Sequence, residues 1–113
     1  MEPLYTRRCE SCRIDSPRLD SEQIRELLAS ISGWATDQQS GIIRLVKSFE
    51  FDSFKDAFEF AARITEIAEQ ENHHPVITVE WGKATIQWWT HSISGLHIND
   101  FIMAAKTDNT VGR

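Results

Sequence analysis

The sequence predicts a single α+β domain built on an antiparallel sheet, with its elements in the order helix, strand, strand, helix, strand, strand, helix. Three observations predict it. Two segments, beginning near residues 20 and 53, carry apolar residues at helical spacing. Two pairs of stretches read as strands joined by a short turn. The 113 residues suit one domain that can bury a core without disulfides or a metal.

The first helix is capped by Asp20, with Gln23 placed to complete a capping box. Leu19 and Ile24 fall at the staple positions, and Ile24, Leu27, Leu28 and Ile31 form one apolar stripe. Gly33 stops the helix where a left-handed residue is wanted. Residues 34–37 read as a short strand, 38–41 as a turn and 42–51 as a longer strand. In that strand Ile43, Leu45, Phe49 and Phe51 share a face that Lys47 interrupts. The second helix runs from Ser53 to about Glu71. Its stripe is Phe54, Ala57, Phe58, Ala61, Ile64 and Ala68, widened by Phe60 and Ile67.

Residues 76–81 and 84–90 alternate around Gly82-Lys83, which reads as a two-residue type II′ turn. That loop sets Trp81 opposite Ala84, Val79 opposite Ile86 and Ile77 opposite Trp88 on one buried face. The other face carries Glu80, Thr85, Thr78, Gln87, Val76 and Trp89. A one-residue slip would bury the polar set. Continued outward, the ladder places His91 opposite His74 with His73 beside them, so three imidazoles meet at the open end of the hairpin. A last helix spans roughly 99–106. Residues 1–18 read as a flexible arm, 19–106 as the domain and 107–113 as a loose tail.

Composition narrows the function. The formal charge of −5 argues against a direct nucleic-acid binder, whose affinity rests on clustered Lys and Arg. The longest apolar run, 101–105, is far short of the ~20 residues that span a bilayer. The first residues carry no apolar signal stretch, so a cytoplasmic location is expected. Cys9 and Cys12 form one C-x-x-C with no second pair to complete a zinc site, and they read as reduced thiols without a catalytic role.

Histidine exchanges protons near neutral pH, and several imidazoles around one pocket, with Glu69 and Asp100 at hand, suit general acid–base chemistry. Eliminating water needs that pairing, one group taking a proton while another protonates the departing hydroxyl. No nucleophile elbow, P-loop or dinucleotide glycine pattern is present. A metal site is the rival reading of the imidazoles, although adjacent His73 and His74 would point to opposite faces of a regular strand. Each carboxylate also has a plainer reading: Asp100 as a charge favoured at a helix N-terminus, Glu69 as a solvated helix residue. Trp34, Trp81 and Trp88 read as core, Trp89 as the aromatic placed to stack on a flat substrate, and His97 as a surface loop residue.

Taken together, Glu69, His73-His74-Pro75, Trp81, His91 and Asp100, at these spacings, resemble the pterin-4a-carbinolamine dehydratases. Gly33-Trp34, the stretch 51–60, Thr90-His91 and Gly95-Leu96 match the same family, and the resemblance covers about 19–105. It implies three helices on one face of a four-stranded antiparallel sheet. It also implies a dehydratase, needing neither metal nor cofactor, that converts 4a-hydroxytetrahydropterin to quinonoid dihydropterin in support of pterin recycling. By matching position, His73 and His91 would be the acid–base groups and His74 would bind pterin and assist. Asp100, Glu69 and Trp34 would lie around the site, with Pro75, Thr90 and Trp89 as further substrate-binding candidates. Homodimers or homotetramers are implied, and the alternative function is an interaction module acting as a dimerisation cofactor of a transcription factor. Two departures stand out. His97 occupies the place of a Ser or Thr cap, which touches the placing of Asp100, and Trp88-Trp89 is bulkier than the family habit.

Overall fold

The computed structural model describes residues 3–10 and 17–111. Helix α1 (Ser21–Leu28), strands β1 (Ala35–Gln39) and β2 (Ile42–Glu50), helix α2 (Phe54–Glu71), strands β3 (Val76–Glu80) and β4 (Lys83–Trp88) and helix α3 (Ile98–Thr110) follow in that order. The sheet is wholly antiparallel, in the order β1-β2-β4-β3. This is the α+β architecture the sequence implies.

Local chemistry explains where the helices start and stop. The Asp20 side chain accepts from the Gln23 amide while the Gln23 side chain accepts from the Asp20 amide. Ser53 caps α2 by accepting from the Asp56 amide, and Asn72, in the left-handed region at φ 51°, ends it. At α3 the cap is His97, whose Nδ1 accepts from the Asn99 amide at 3.1 Å while the Asp100 carboxylate accepts from the His97 amide at 3.0 Å. An imidazole thus does the work of the expected hydroxyl. His97 is buried, not a surface loop residue.

The core lies between the helices and one sheet face. Leu45 and Phe49 of β2 and Ala84, Ile86 and Trp88 of β4 meet Ala57, Phe60, Ile64 and Ala68 of α2 and Phe101, Met103 and Ala104 of α3. Phe54 and Phe58, counted in the α2 stripe, are exposed, and the buried width comes from Phe60 instead. Lys47 keeps its place on the apolar face by reaching its rim: Nζ donates to Ser32 O at 3.0 Å and to Asp108 Oδ1 at 2.8 Å.

The hairpin differs from expectation by two residues. Glu80 pairs with Lys83 and Ile77 with Ile86, so the turn residues are Trp81 and Gly82. Gly82 takes φ +72°, and a Cβ there would stand 3.1 Å from Phe51 O. The Phe51 amide in turn donates to Gly82 O at 2.9 Å. Packing of the β2 end against the turn therefore decides which residues form it. An even shift keeps the faces, so Val79, Ile77, Ala84 and Ile86 stay inward. Trp81, however, moves into the turn and is 74% exposed, not core.

Two further expectations change. Helix α3 continues through Thr107 to Thr110, past the expected start of a loose tail, because Thr107 is buried and its hydroxyl accepts from Trp88 Nε1 at 3.1 Å. The described part of the arm is tied down. A 3-10 turn at Leu4–Thr6 lies against α3, where Lys106 Nζ donates to Tyr5 O at 2.9 Å. Cys12 lies outside the described residues.

Candidate active site

Two chain reversals and the start of a helix deliver the candidate residues to one place. The left-handed Asn72 turns the chain out of α2, with the His73 amide donating back to Ala68 O at 3.1 Å, so His73 and His74 emerge at the helix end. β4 leads to Thr90, where a loop closed by Thr90 N–H to Gly95 O at 2.8 Å lifts His91 into a 3-10 turn. The first turn of α3 supplies Asn99 and Asp100. His73, His74, His91 and Thr90 line a single open cavity of about 460 Å³, in the range of small-ligand sites.

The three imidazoles therefore meet, but not by the ladder argued from the turn. The observed register, extended, would set His74 against Trp89, and β4 stops at Trp88 before His91. The loops at either end bring the rings together.

Asp100 sits behind His73. Its Oδ1 is 2.6 Å from His73 Nε2, and its Oδ2 accepts from the Thr90 hydroxyl at 2.8 Å and the His97 amide at 3.0 Å. Asp100 is completely buried, and the Thr90 hydroxyl, the His97 amide and the His73 ring meet its two oxygens at the first turn of α3. An ionised carboxylate only accepts, so the tautomer of His73 that can donate to it is the one with its N–H at Nε2, which leaves the Nδ1 lone pair. The ring is also stacked on Trp88, with centroids 5.8 Å apart. His74 is held more loosely: its Nε2 is 2.6 Å from Glu69 Oε2, and both side chains are exposed.

His91 is held by stacking. Its ring lies 4.4 Å from the Trp89 ring at 7°, and the Arg44 guanidinium sits 3.9 Å from a Trp89 ring centroid. Arg44 is itself fixed by donating to Gln87 Oε1 at 3.3 Å. Trp89 is buried in this stack and does not line the cavity, so it supports His91 rather than offering a face to a substrate.

Of the other expected site residues, Pro75 leads His74 into β3 without lining the cavity, and Glu69 reaches it only through His74. Trp34 is not brought to the site. Its indole packs on Phe49 and donates to Asp108 Oδ2 at 3.0 Å, in the core.

The remaining wall holds none of the residues the sequence nominates for the site. Cys9, Glu10, Glu71, Asn72, Ser92 and Asn99 complete it. Burial pushes the Cys9 thiol up to about 12, with the Glu71 carboxylate adding to the effect, so it is no nucleophile near neutral pH. Asn99, beside Asp100, is the one sequence clue; nothing local marks the arm. Among the described residues no group of three or more His, Cys, Asp or Glu is arranged to hold a metal ion.

The helix-and-sheet layer thus carries a carboxylate-held imidazole on a cavity that two further imidazoles line. Comparison with known proteins places this fold in a family. The family model described as Pterin 4 alpha carbinolamine dehydratase matches residues 17–110. A Photobacterium profundum protein named "Putative pterin-4-alpha-carbinolamine dehydratase" is 49% identical over 108 residues, 96% of each chain. A crystal structure described as a transcriptional coactivator/pterin dehydratase from Brucella Melitensis is similar at TM-score 0.75 and 30% identity, covering 85% of this chain and all of that one. A pterin dehydratase-like protein identified as a RuBisCO assembly factor in the alpha-carboxysome shares the fold, at TM-score 0.60 and 21% identity over 71% of this chain and 90% of its own. The chain belongs to the pterin 4 alpha carbinolamine dehydratase family, and its enzyme class is accordingly that of the hydro-lyases.

Proposed function

We propose that this protein removes water from 4a-hydroxytetrahydropterin by histidine acid–base catalysis. The observation that carries the reading is the Asp100-held His73 opening on the same cavity as His74 and His91. Dehydration breaks the C4a–O bond, forms the C4a–N5 double bond and releases the N5 proton, so the hydroxyl leaves as water and the product is quinonoid dihydropterin. One imidazole of the pair His73 and His91 takes the N5 proton while the other protonates the leaving oxygen. Asp100 stabilises the imidazolium form of His73 as charge develops. His74, steadied by Glu69, binds the pterin, and Thr90 forms part of the wall. No cofactor enters this scheme.

Chemically generated 4a-hydroxytetrahydropterin should lose water faster with the protein present, and His73→Ala and His91→Ala should each remove most of that acceleration. Variants equal to the wild type would sink the mechanism.

A second reading, a protein-interaction module, is favoured by the exposed Phe54 and Phe58 one turn apart on α2 and by the coactivator description of the Brucella relative. It expects a stable hetero-complex indifferent to the histidine substitutions. The same apolar pair and the unpaired edge of β3 support a homodimer or homotetramer, which mass measurement in solution tests. A cytoplasmic location and the absence of direct nucleic-acid binding belong to this proposal; no helix among the described residues is long and apolar enough to cross a membrane.

A further inference from the structure

We infer that the arm segment Arg8-Cys9-Glu10 is a fixed wall of the catalytic pocket, held there by Asn99 and Glu71, and that it sets how tightly the pterin binds. The inference rests on the dehydratase reading for the identity of the ligand. Asn99 grips the backbone of Glu10 from both sides: its Oδ1 accepts from the Glu10 amide at 2.8 Å and its Nδ2 donates to Glu10 O at 2.8 Å. Glu71, at the end of α2, accepts from the Cys9 amide at 2.7 Å and pairs with Arg8 Nε at 2.8 Å. Asn99 is 1% exposed, and the Glu71 carboxylate is nearly as enclosed at 6%. An asparagine buried with its amide spent on so distant a peptide has no helix-forming reason to be there.

These contacts do more than tether a terminus, because Cys9 and Glu10 themselves line the cavity beside His73 and His91. Without them the cavity would lie open along that side, and a bicyclic ligand would keep more of its surface in water. The segment 8–10 carries no group placed to exchange a proton: the Cys9 thiol stays protonated near neutral pH, and the Glu10 carboxylate leans toward Arg7 at 3.5 Å. Its contribution therefore belongs to binding, and Asn99 is a positioning residue that acts through the arm.

The test measures KM and kcat for the full chain on chemically generated 4a-hydroxytetrahydropterin, together with amide hydrogen exchange at Cys9 and Glu10. Asn99→Ala, losing two hydrogen bonds to the arm, should raise KM about five- to tenfold with kcat within about twofold, and the Glu10 amide should exchange faster. Asn99→Asp, which keeps the acceptor and loses the donor, should fall between. Lys47→Ala, a destabilising change away from the cavity, should leave KM unchanged. A KM that stays at the wild-type value while the Glu10 amide is freed overturns the inference. So does an arm still protected in Asn99→Ala, or a loss confined to kcat. A wild-type protein that fails to accelerate dehydration overturns the dehydratase reading instead, and leaves the exchange data to decide whether Asn99 holds the arm.

Discussion

Asp100 Oδ1 and His73 Nε2 stand 2.6 Å apart, with the carboxylate fully buried and the imidazole opening on the cavity. Asp100→Asn nearly preserves the shape but puts an amide where the ring N–H needs an acceptor. The tautomer of His73 reverses and its cationic form loses its partner. We expect kcat to fall by about 10² or more, by analogy with carboxylate-to-amide changes behind catalytic histidines. The fold should lose about 1–3 kcal/mol for the disrupted buried acceptor. Steady-state kinetics beside urea unfolding separates the two effects, and an Asn variant with full kcat would refute the role given to Asp100.

His91 depends on Trp89 for its orientation, since the two rings stack at 4.4 Å with Arg44 on the same indole. Trp89→Leu should lower kcat about three- to tenfold, from the loss of an aromatic contact of order 1 kcal/mol that fixes the ring. Trp89→Phe should recover most of it. Equal rates in Leu and Phe variants would mean that stacking does not matter to His91.

Far from the cavity, Asp108 joins two core features by accepting from Trp34 Nε1 at 3.0 Å and from Lys47 Nζ at 2.8 Å. Lys47→Ala should cost about 1 kcal/mol, because the pair is partly exposed and screened. Asp108→Ala should cost more, about 2 kcal/mol, since it also strands the buried indole N–H. Chemical unfolding checks the order; the reverse order would show that Lys47 anchors the site by itself.

Cys9 gives a prediction about pH. Its thiol ionises at 9.0 when free of the fold and near 12 within it, through burial first and the Glu71 carboxylate second. Between those values the unfolded chain has lost a proton that the native state keeps, so stability falls as pH rises across that window. Below about 9 the group has no effect. Cys9→Ser should flatten the alkaline limb of a stability–pH curve while leaving the neutral region parallel to the wild type. Native Cys9 should also react slowly with iodoacetamide at about pH 8 and quickly once the protein is unfolded.

Features written in neighbouring residues are legible in the sequence. The Asp20–Gln23 box and the alternation that assigns sheet faces both depend on contacts a few positions apart. Where a distant element casts the deciding vote, local patterns mislead. The end of β2 packs on Gly82 through the Phe51 amide, and the hairpin turn moves by one residue and its register by two, exposing Trp81. Trp88 donates to Thr107 and keeps α3 helical beyond 106. The gathering of His73, His74 and His91 is legible too, although the strand ladder is not what causes it. Trp34 is drawn toward the site by resemblance alone, and its bond to Asp108 places it elsewhere. The docking of the arm leaves no local trace, because what recognises it lies at Glu71 and Asn99.

Asn99 and Asp100 are consecutive, yet one clasps the Glu10 backbone while the other holds His73. Successive residues of a helix project about 100° apart. The doublet therefore acts as a fixed angle between the arm and the imidazole. One residue added or removed inside the first turn of α3 would rotate both grips off their targets at once. A single insertion there would therefore undo the pocket wall and the histidine's support together.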